Sequence, residues 1–144
     1  LGVFAELELS VNRNFTLGVN ATVNDYNTET GNPAWNLPNL EGSLCLDYQI
    51  NSNWYFGGSL FYVGEREDLA STAGVGIPPE DFPAQIRTLD GFFDVNLHLG
   101  YHLDTRLTLF ARASNLANNS YQRWANFRVQ GLQVLAGASY KFDL

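Results

Sequence analysis

Along seven stretches of this chain, apolar residues recur at every second position, and the residues between them are mostly polar or small. In Gly91 to Leu103 the apolar set is Phe93, Val95, Leu97, Leu99, Tyr101 and Leu103. Between them fall Phe92, Asp94, Asn96, His98, Gly100 and His102. A helix would repeat its apolar residues about every 3.6 positions, whereas a period of two puts each set on one face of a β-strand. The same alternation runs through Val3–Leu9, Phe15–Val23, Leu40–Ile50, Trp54–Tyr62, Leu107–Ala113 and Leu132–Phe142. The apolar face carries no charged residue. The other face holds Glu6, Glu8, Glu41, Asp47, Asp94, Arg112 and Lys141, with many Gly, Ser, Thr and Asn. Any fold made of these strands must give one whole sheet face a charge-free apolar surrounding.

The connections say what that surrounding is. Short ones, about Ser10–Asn14, Asn51–Asn53 and Asp104–Arg106, alternate with long ones, about Asn27–Pro38, Arg66–Arg87 and Leu116–Phe127. Short turns at one end and long loops at the other are the layout of an antiparallel up-and-down transmembrane β-barrel in a bacterial outer membrane, with turns in the periplasm and loops outside. Aromatics cluster at the short-turn end of the apolar face: Phe15, Tyr48, Trp54, Phe56, Tyr101, Tyr140 and Phe142. Rings of this kind form girdles at headgroup level. The charged share of 16% is low for a soluble domain, and a lipid-facing surface accounts for it. A soluble cup would need the reverse arrangement, apolar within and polar without.

Turn spacing also predicts register. A turn at Asp104–Arg106 pairs Leu103 with Leu107, Leu99 with Ala111 and His98 with Arg112. A turn at Asn51–Asn53 pairs Ile50 with Trp54 and Gly42 with Tyr62, and one at Ser10–Asn14 pairs Leu9 with Phe15. A slip of one residue would put charge on the apolar face.

Seven strands cannot close as an even-numbered bacterial barrel, and an open edge in lipid leaves backbone groups unpaired. The expectation is a segment of a larger barrel spanning residues 1–144, its last strand ending in the periplasm and its first starting outside. The alternative is a small autonomous outer-membrane barrel with a structural or adhesive role and one strand hidden or supplied elsewhere.

The last third carries a recognisable run. Arg87-Thr-Leu-Asp-Gly-Phe-Phe-Asp-Val-Asn-Leu97 leads into a strand, Leu109-Phe-Ala-Arg-Ala-Ser-Asn-Leu-Ala-Asn-Asn-Ser-Tyr121 follows, then Val129-Gln-Gly131 and Ala136-Gly-Ala-Ser-Tyr-Lys-Phe142. Its Asn115–Tyr121 segment resembles the Asn-Leu-x-(Asn/Asp)-x-x-Tyr signature near the end of TonB-dependent outer-membrane receptors. The hairpins around Leu37–Leu44 and Trp54–Gly64 are similar to the family's preceding ones. The resemblance implies a barrel of about 22 strands plugged by an N-terminal domain. It also implies uptake of a scarce nutrient (siderophore, vitamin, glycan or similar) driven through TonB. This chain shows no plug domain and would meet TonB only through a missing N-terminal part. Its implied partners are outer-membrane lipid, the remaining strands and plug in the same or another chain, and the barrel assembly machinery. Gly137, Tyr140 and Phe142 resemble the terminal signal read by that machinery.

Other functions are poorly supported. A net charge of −7 argues against nucleic acid as partner. His98 and His102 lie roughly 13 Å apart along a strand, too far to share one metal ion. No nucleophile, base and orienting group come together, so no enzyme, catalytic residue, metal or cofactor is expected. The run Glu65–Asp68 reads as a solvated loop start, and Ser71–Pro83 as a mobile external loop. Trp35, Tyr121, Arg123 and Trp124 lie in long loops and are the candidates for a ligand-binding rim, since aromatics with Arg make such contacts.

Overall fold

The computed structural model describes residues 1–29, 31–70 and 85–142. Seven strands form one antiparallel sheet: β1 (Gly2–Asn12), β2 (Phe15–Asn24), β3 (Leu40–Gln49), β4 (Trp54–Val63), β7 (Phe92–His102), β8 (Leu107–Ser114) and β11 (Gln133–Tyr140). They lie in the order β1-β2-β3-β4-β7-β8-β11. The long connections contain two further pairs, β5 (Arg66–Ala70) with β6 (Gln85–Leu89), and β9 (Gln122–Trp124) with β10 (Phe127–Arg128). The segments read as loops at Arg66–Arg87 and Leu116–Phe127 are therefore partly strand. Ser71–Pro83 lies outside the described residues.

The pairing keeps the two faces separate across the whole sheet. Leu9, Leu17, Leu46, Gly58, Leu97, Ala113 and Val134 form one continuous row. On the opposite face, Ser10, Thr16, Asp47, Gly57, His98, Arg112 and Leu135 form another. A slip that turned Asp47 or Arg112 towards the bilayer midplane would cost on the order of 2–4 kcal/mol for the arginine and less for the aspartate. The predicted pairs Leu99 with Ala111, His98 with Arg112 and Gly42 with Tyr62 are present.

The first hairpin differs from its expected pairing. Leu9 faces Leu17, not Phe15, because β1 continues to Asn12, which pairs with Phe15 across a bulge after Ser10. The turn is tighter because Asn12 Oδ1 accepts the Asn14 N–H at 2.8 Å. The displacement is two residues, an even number, so no side chain changes face. The other short turns use the same device. Asn51 Oδ1 accepts from the N–H groups of Asn53 and Trp54, each at 2.9 Å. Asp104 Oδ1 accepts from those of Arg106 at 2.7 Å and Leu107 at 2.8 Å. A short side-chain acceptor at the head of a turn satisfies the N–H groups that the ladder leaves over.

The aromatics meet as the girdle requires. Phe15 and Tyr48 pack edge-on with ring centres 5.9 Å apart, as do Tyr140 and Phe142 at 4.8 Å, and Trp54 and Tyr101 pack tilted at 4.6 Å. Among the described residues, the buried apolar side chains, those of Ala70, Leu89, Tyr121 and Ala125, all lie at the long-loop end, and none belongs to the seven-stranded sheet. The sheet has no core of its own, because its apolar face is made for a surrounding solvent of lipid. Each β-strand group pairs with a neighbour, leaving the outer edges of β1 and β11 without a partner strand among the described residues. The sheet is thus an open stretch of barrel wall.

Candidate functional site

The long-loop end is built around one arginine. In β5, Arg66, Asp68 and Ala70 are buried and alternate with exposed Glu67 and Leu69. Their face receives the β9–β10 hairpin. Ala70, Leu89 and Ala125 make its small apolar contact, and Asp68 Oδ2 accepts the Ala125 N–H at 2.6 Å. The Arg66 guanidinium, only 6% exposed, donates from Nε to Asn36 Oδ1 at 2.7 Å. Its Nη2 donates to the carbonyls of Gln122 at 2.5 Å and Arg123 at 3.1 Å. Asn36 N–H in turn donates to the Glu67 carbonyl at 2.6 Å. Segments from all three long connections are therefore tied at one point. Burial lowers the Arg66 pKa from its ordinary value, and neighbouring Asp68 opposes that shift.

Below this node, Phe92 at the head of β7 carries the Tyr121 ring stacked at 3.7 Å and the Arg66 guanidinium 5.4 Å from its centre. The Tyr121 hydroxyl donates to Asp94 Oδ2 at 2.7 Å. Burial first, and the bond to Asp94 next, raise the Tyr121 phenol above its usual value. The Asn115–Tyr121 signature is a folded asparagine turn. Asn115 and Asn118 both adopt positive φ, at 49° and 51°. The Asn115 amide donates to the carbonyls of Asn119 at 2.9 Å and Gln130 at 3.0 Å, while its Oδ1 accepts the Asn119 N–H at 3.0 Å. Asn118 Oδ1 accepts the Leu132 N–H at 2.9 Å. Asn tolerates the left-handed region and supplies both donor and acceptor, so it suits both places.

Two of the rim residues expected from sequence, Arg123 and Trp124, line one cavity of about 730 Å³ together with Arg66, Glu41, Phe61 and Asp94. Tyr121 sits beneath the loops at 8% exposure and serves as a tie to the sheet. Trp35 lines a separate cleft with Tyr26 and Leu37, above the first three strands. Sequence reading missed Arg66, Asp68, Phe92 and Asp94. The Glu65–Asp68 run is not uniformly solvated: Arg66 and Asp68 face a hairpin more than fifty residues away. The alternation of Arg66, Asp68 and Ala70 with Glu67 and Leu69 was the available signal.

Deeper on the polar face, His98 Nε2 lies 3.7 Å from Asp47 Oδ1 across Gly57. His102 Nδ1 is 2.9 Å from Thr108 Oγ1. Among the described residues no three His, Cys, Asp or Glu side chains converge as a metal site.

The sequence profile of the family described as TonB dependent receptor-like, beta-barrel, matches residues 5–116. The chain belongs to the TonB-dependent receptor family. No curated protein sequence matches it. Among solved structures it is similar to the ferripyoverdine receptor of the outer membrane of Pseudomonas aeruginosa, with 14% identity and a TM-score of 0.79, over 98% of this chain and 19% of that one. It is also similar to the siderophore receptor PirA from Acinetobacter baumannii, with 17% identity and a TM-score of 0.79, over 98% and 22%. The ferric-catecholate import receptor Fiu from E. coli matches at 17% identity and a TM-score of 0.69, over 94% and 20%. The chain spans about a fifth of the length of these receptors. The chain is therefore part of an outer-membrane β-barrel of the TonB-dependent receptor type.

Proposed function

We propose that this chain is the C-terminal, seven-stranded wall of a larger TonB-dependent receptor, and that the receptor imports a scarce nutrient such as a siderophore, vitamin or glycan. The observation that carries the reading is the assembled rim: Arg66 ties three external loops over a lumenal cavity that Arg123 and Trp124 line. The solved receptors of like fold include siderophore receptors and a complex with pyocin S2, which supports the cargo class by analogy of fold. In this reading the free edges of β1 and β11 pair with the remaining strands, the lumen is filled by a plug domain, and that domain meets TonB. Gly137, Tyr140 and Phe142 would be read by the barrel assembly machinery. Tyr140 and Phe142 present their paired rings at the periplasmic end of β11, while Gly137 lies on the lumenal side.

The test is uptake by cells carrying the full-length receptor. Radiolabelled ferric chelates, cobalamin and oligosaccharides are offered with and without a collapsed proton gradient. Accumulation of one of them should require both the receptor and the gradient. Equal accumulation of every probe in a receptor-deletion strain would overturn the proposal.

A further inference from the structure

The external hairpin β5–β6 does not continue the β4–β7 ladder. Val63 pairs with Phe92, and Arg66 pairs with Leu89. Between these pairs, Gly64 and Glu65 on one strand and Asp90 and Gly91 on the other fall outside the ladder. The break lies at the same level on both strands, and each side holds a glycine, whose backbone turns most freely. The hairpin β9–β10 stands on a base of its own. The Val129 N–H donates to the Tyr121 carbonyl at 3.0 Å, the Tyr121 hydroxyl to Asp94, and the Leu132 N–H to Asn118.

Beyond these bases the two hairpins are fastened to each other. Arg66 Nη2 donates to the carbonyls of Gln122 and Arg123, and Asp68 accepts the Ala125 N–H. Arg87 Nη1 donates to Asn126 Oδ1 at 2.9 Å, and Ala70, Leu89 and Ala125 pack together. The pair is shut against the rest of the chain at its rim. Asn36, in the β2–β3 connection, accepts from Arg66 Nε at 2.7 Å and donates its N–H to the Glu67 carbonyl at 2.6 Å. The Arg66 guanidinium lies over Phe92, and Arg123 bonds to the Tyr121 hydroxyl. The cavity of about 730 Å³ runs along this junction: Arg66, Arg123 and Trp124 come from the hairpins, and Phe61, Phe92 and Asp94 from the sheet.

We propose that β5–β6 and β9–β10 form one lid, and that Asn36 is the clasp that holds it shut over the cavity. The lid swings on the paired break at Gly64–Glu65 and Asp90–Gly91, and on the links Tyr121–Gln122 and Arg128–Val129. Such short stretches at element ends are where hinges absorb changes of φ and ψ. Releasing Asn36 leaves the bonds between the hairpins intact, so the two move together. The lid rests on the reading of this cavity as the entry for imported cargo, and it names what governs that entry.

The test uses the full-length receptor in lipid nanodiscs, its native cysteines replaced, with nitroxides at Thr88, at Phe127 and on the sheet at Leu109. Asn36→Gly removes the clasp side chain and keeps both the N–H and the positive φ of 54° at that position. The Thr88–Phe127 distance should stay one narrow peak in wild type and variant. Both distances to Leu109 should gain a longer population in Asn36→Gly, about fivefold above wild type, the effect of losing one net hydrogen bond. Asn36→Asp keeps the acceptor for Arg66 and should retain the single shut population. A Phe61→Cys thiol in the cavity should react with a water-soluble maleimide several times faster when Asn36→Gly is added. Separation of Thr88 from Phe127, unchanged distances to Leu109, or equal maleimide rates each overturns the inference. None of these readouts uses cargo, so their failure removes the lid alone, whereas loss of receptor-dependent uptake removes the import function.

Discussion

At the scale of single residues, this chain spends its short polar side chains on its own backbone. Asp104 is the clearest case. Two backbone N–H groups, from Arg106 and then Leu107, hold its carboxyl below the ordinary value of 3.8. A depressed carboxylate contributes stability that is present above its unfolded pKa and is lost as pH falls through the folded one. The turn should therefore loosen only below pH 3.8. Hydrogen exchange at the Arg106 and Leu107 amides of the full-length receptor should accelerate there beyond the intrinsic pH dependence, and Asp104→Asn should abolish that excess. Tyr121 behaves in the opposite sense. Its raised phenol stabilises the loop below its unfolded pKa of 10.0 and releases it as pH rises further. Tyr121→Phe leaves Asp94 Oδ2 without its donor and should cost about 1–3 kcal/mol of local stability. The measurement is faster exchange across residues 115–132, with the sheet amides unchanged.

At the scale of elements, close packing on the lumenal face depends on rings lying over glycines. Tyr55, Gly100, Phe110 and Gly137 are register neighbours on four successive strands. A Cβ on Gly100 would lie 2.0 Å from Tyr55 Cζ, and one on Gly137 would lie 2.6 Å from Phe110 Cζ. Gly100→Ala should destabilise the receptor by roughly 1–3 kcal/mol, as overpacking does. Adding Tyr55→Ala should recover part of the loss, and a double-mutant cycle of unfolding in detergent reads that coupling. A cycle with purely additive terms would show that the ring and the glycine do not interact. The same scale shows what could be read in advance. The seven sheet strands and most of their pairings follow from alternation, because lipid on one side and lumen on the other penalise every slip by one. The hairpin β5–β6 was hidden, since burial of Arg66 and Asp68 comes from β9 and β10, distant in sequence. Leu9 was paired two positions away because a side-chain turn at Asn12 shortens the connection without changing parity.

At the scale of the whole molecule, the sheet is dressed for lipid and the packed interior has moved to the loops. Trp54 lies on the apolar face at the short-turn end, whereas Trp35 and Trp124 belong to the external rim. In full-length receptor reconstituted with brominated lipids, a variant retaining only Trp54 should be strongly quenched. Variants retaining only Trp35 or only Trp124 should not. Quenching of Trp124 and not of Trp54 would reverse the assignment of the two ends. The resemblance seen in sequence lay at Asn115–Tyr121, whose asparagines build a turn that few other residue types can make, whereas the family profile matches the strands before it, over residues 5–116. The lining of the cavity was legible only in part. Arg123 and Trp124 stand out as exposed loop residues, but the arginine that aims them sits in a charged run that looks like ordinary solvated surface.

Arg66 reaches the far loop through main-chain carbonyls of Gln122 and Arg123, not through their side chains. Replacing either side chain therefore leaves the anchoring oxygens where they are. The side chains at positions 122 and 123 can therefore change while the path of the loop is kept, so the surface shown at this end is set separately from the backbone that carries it.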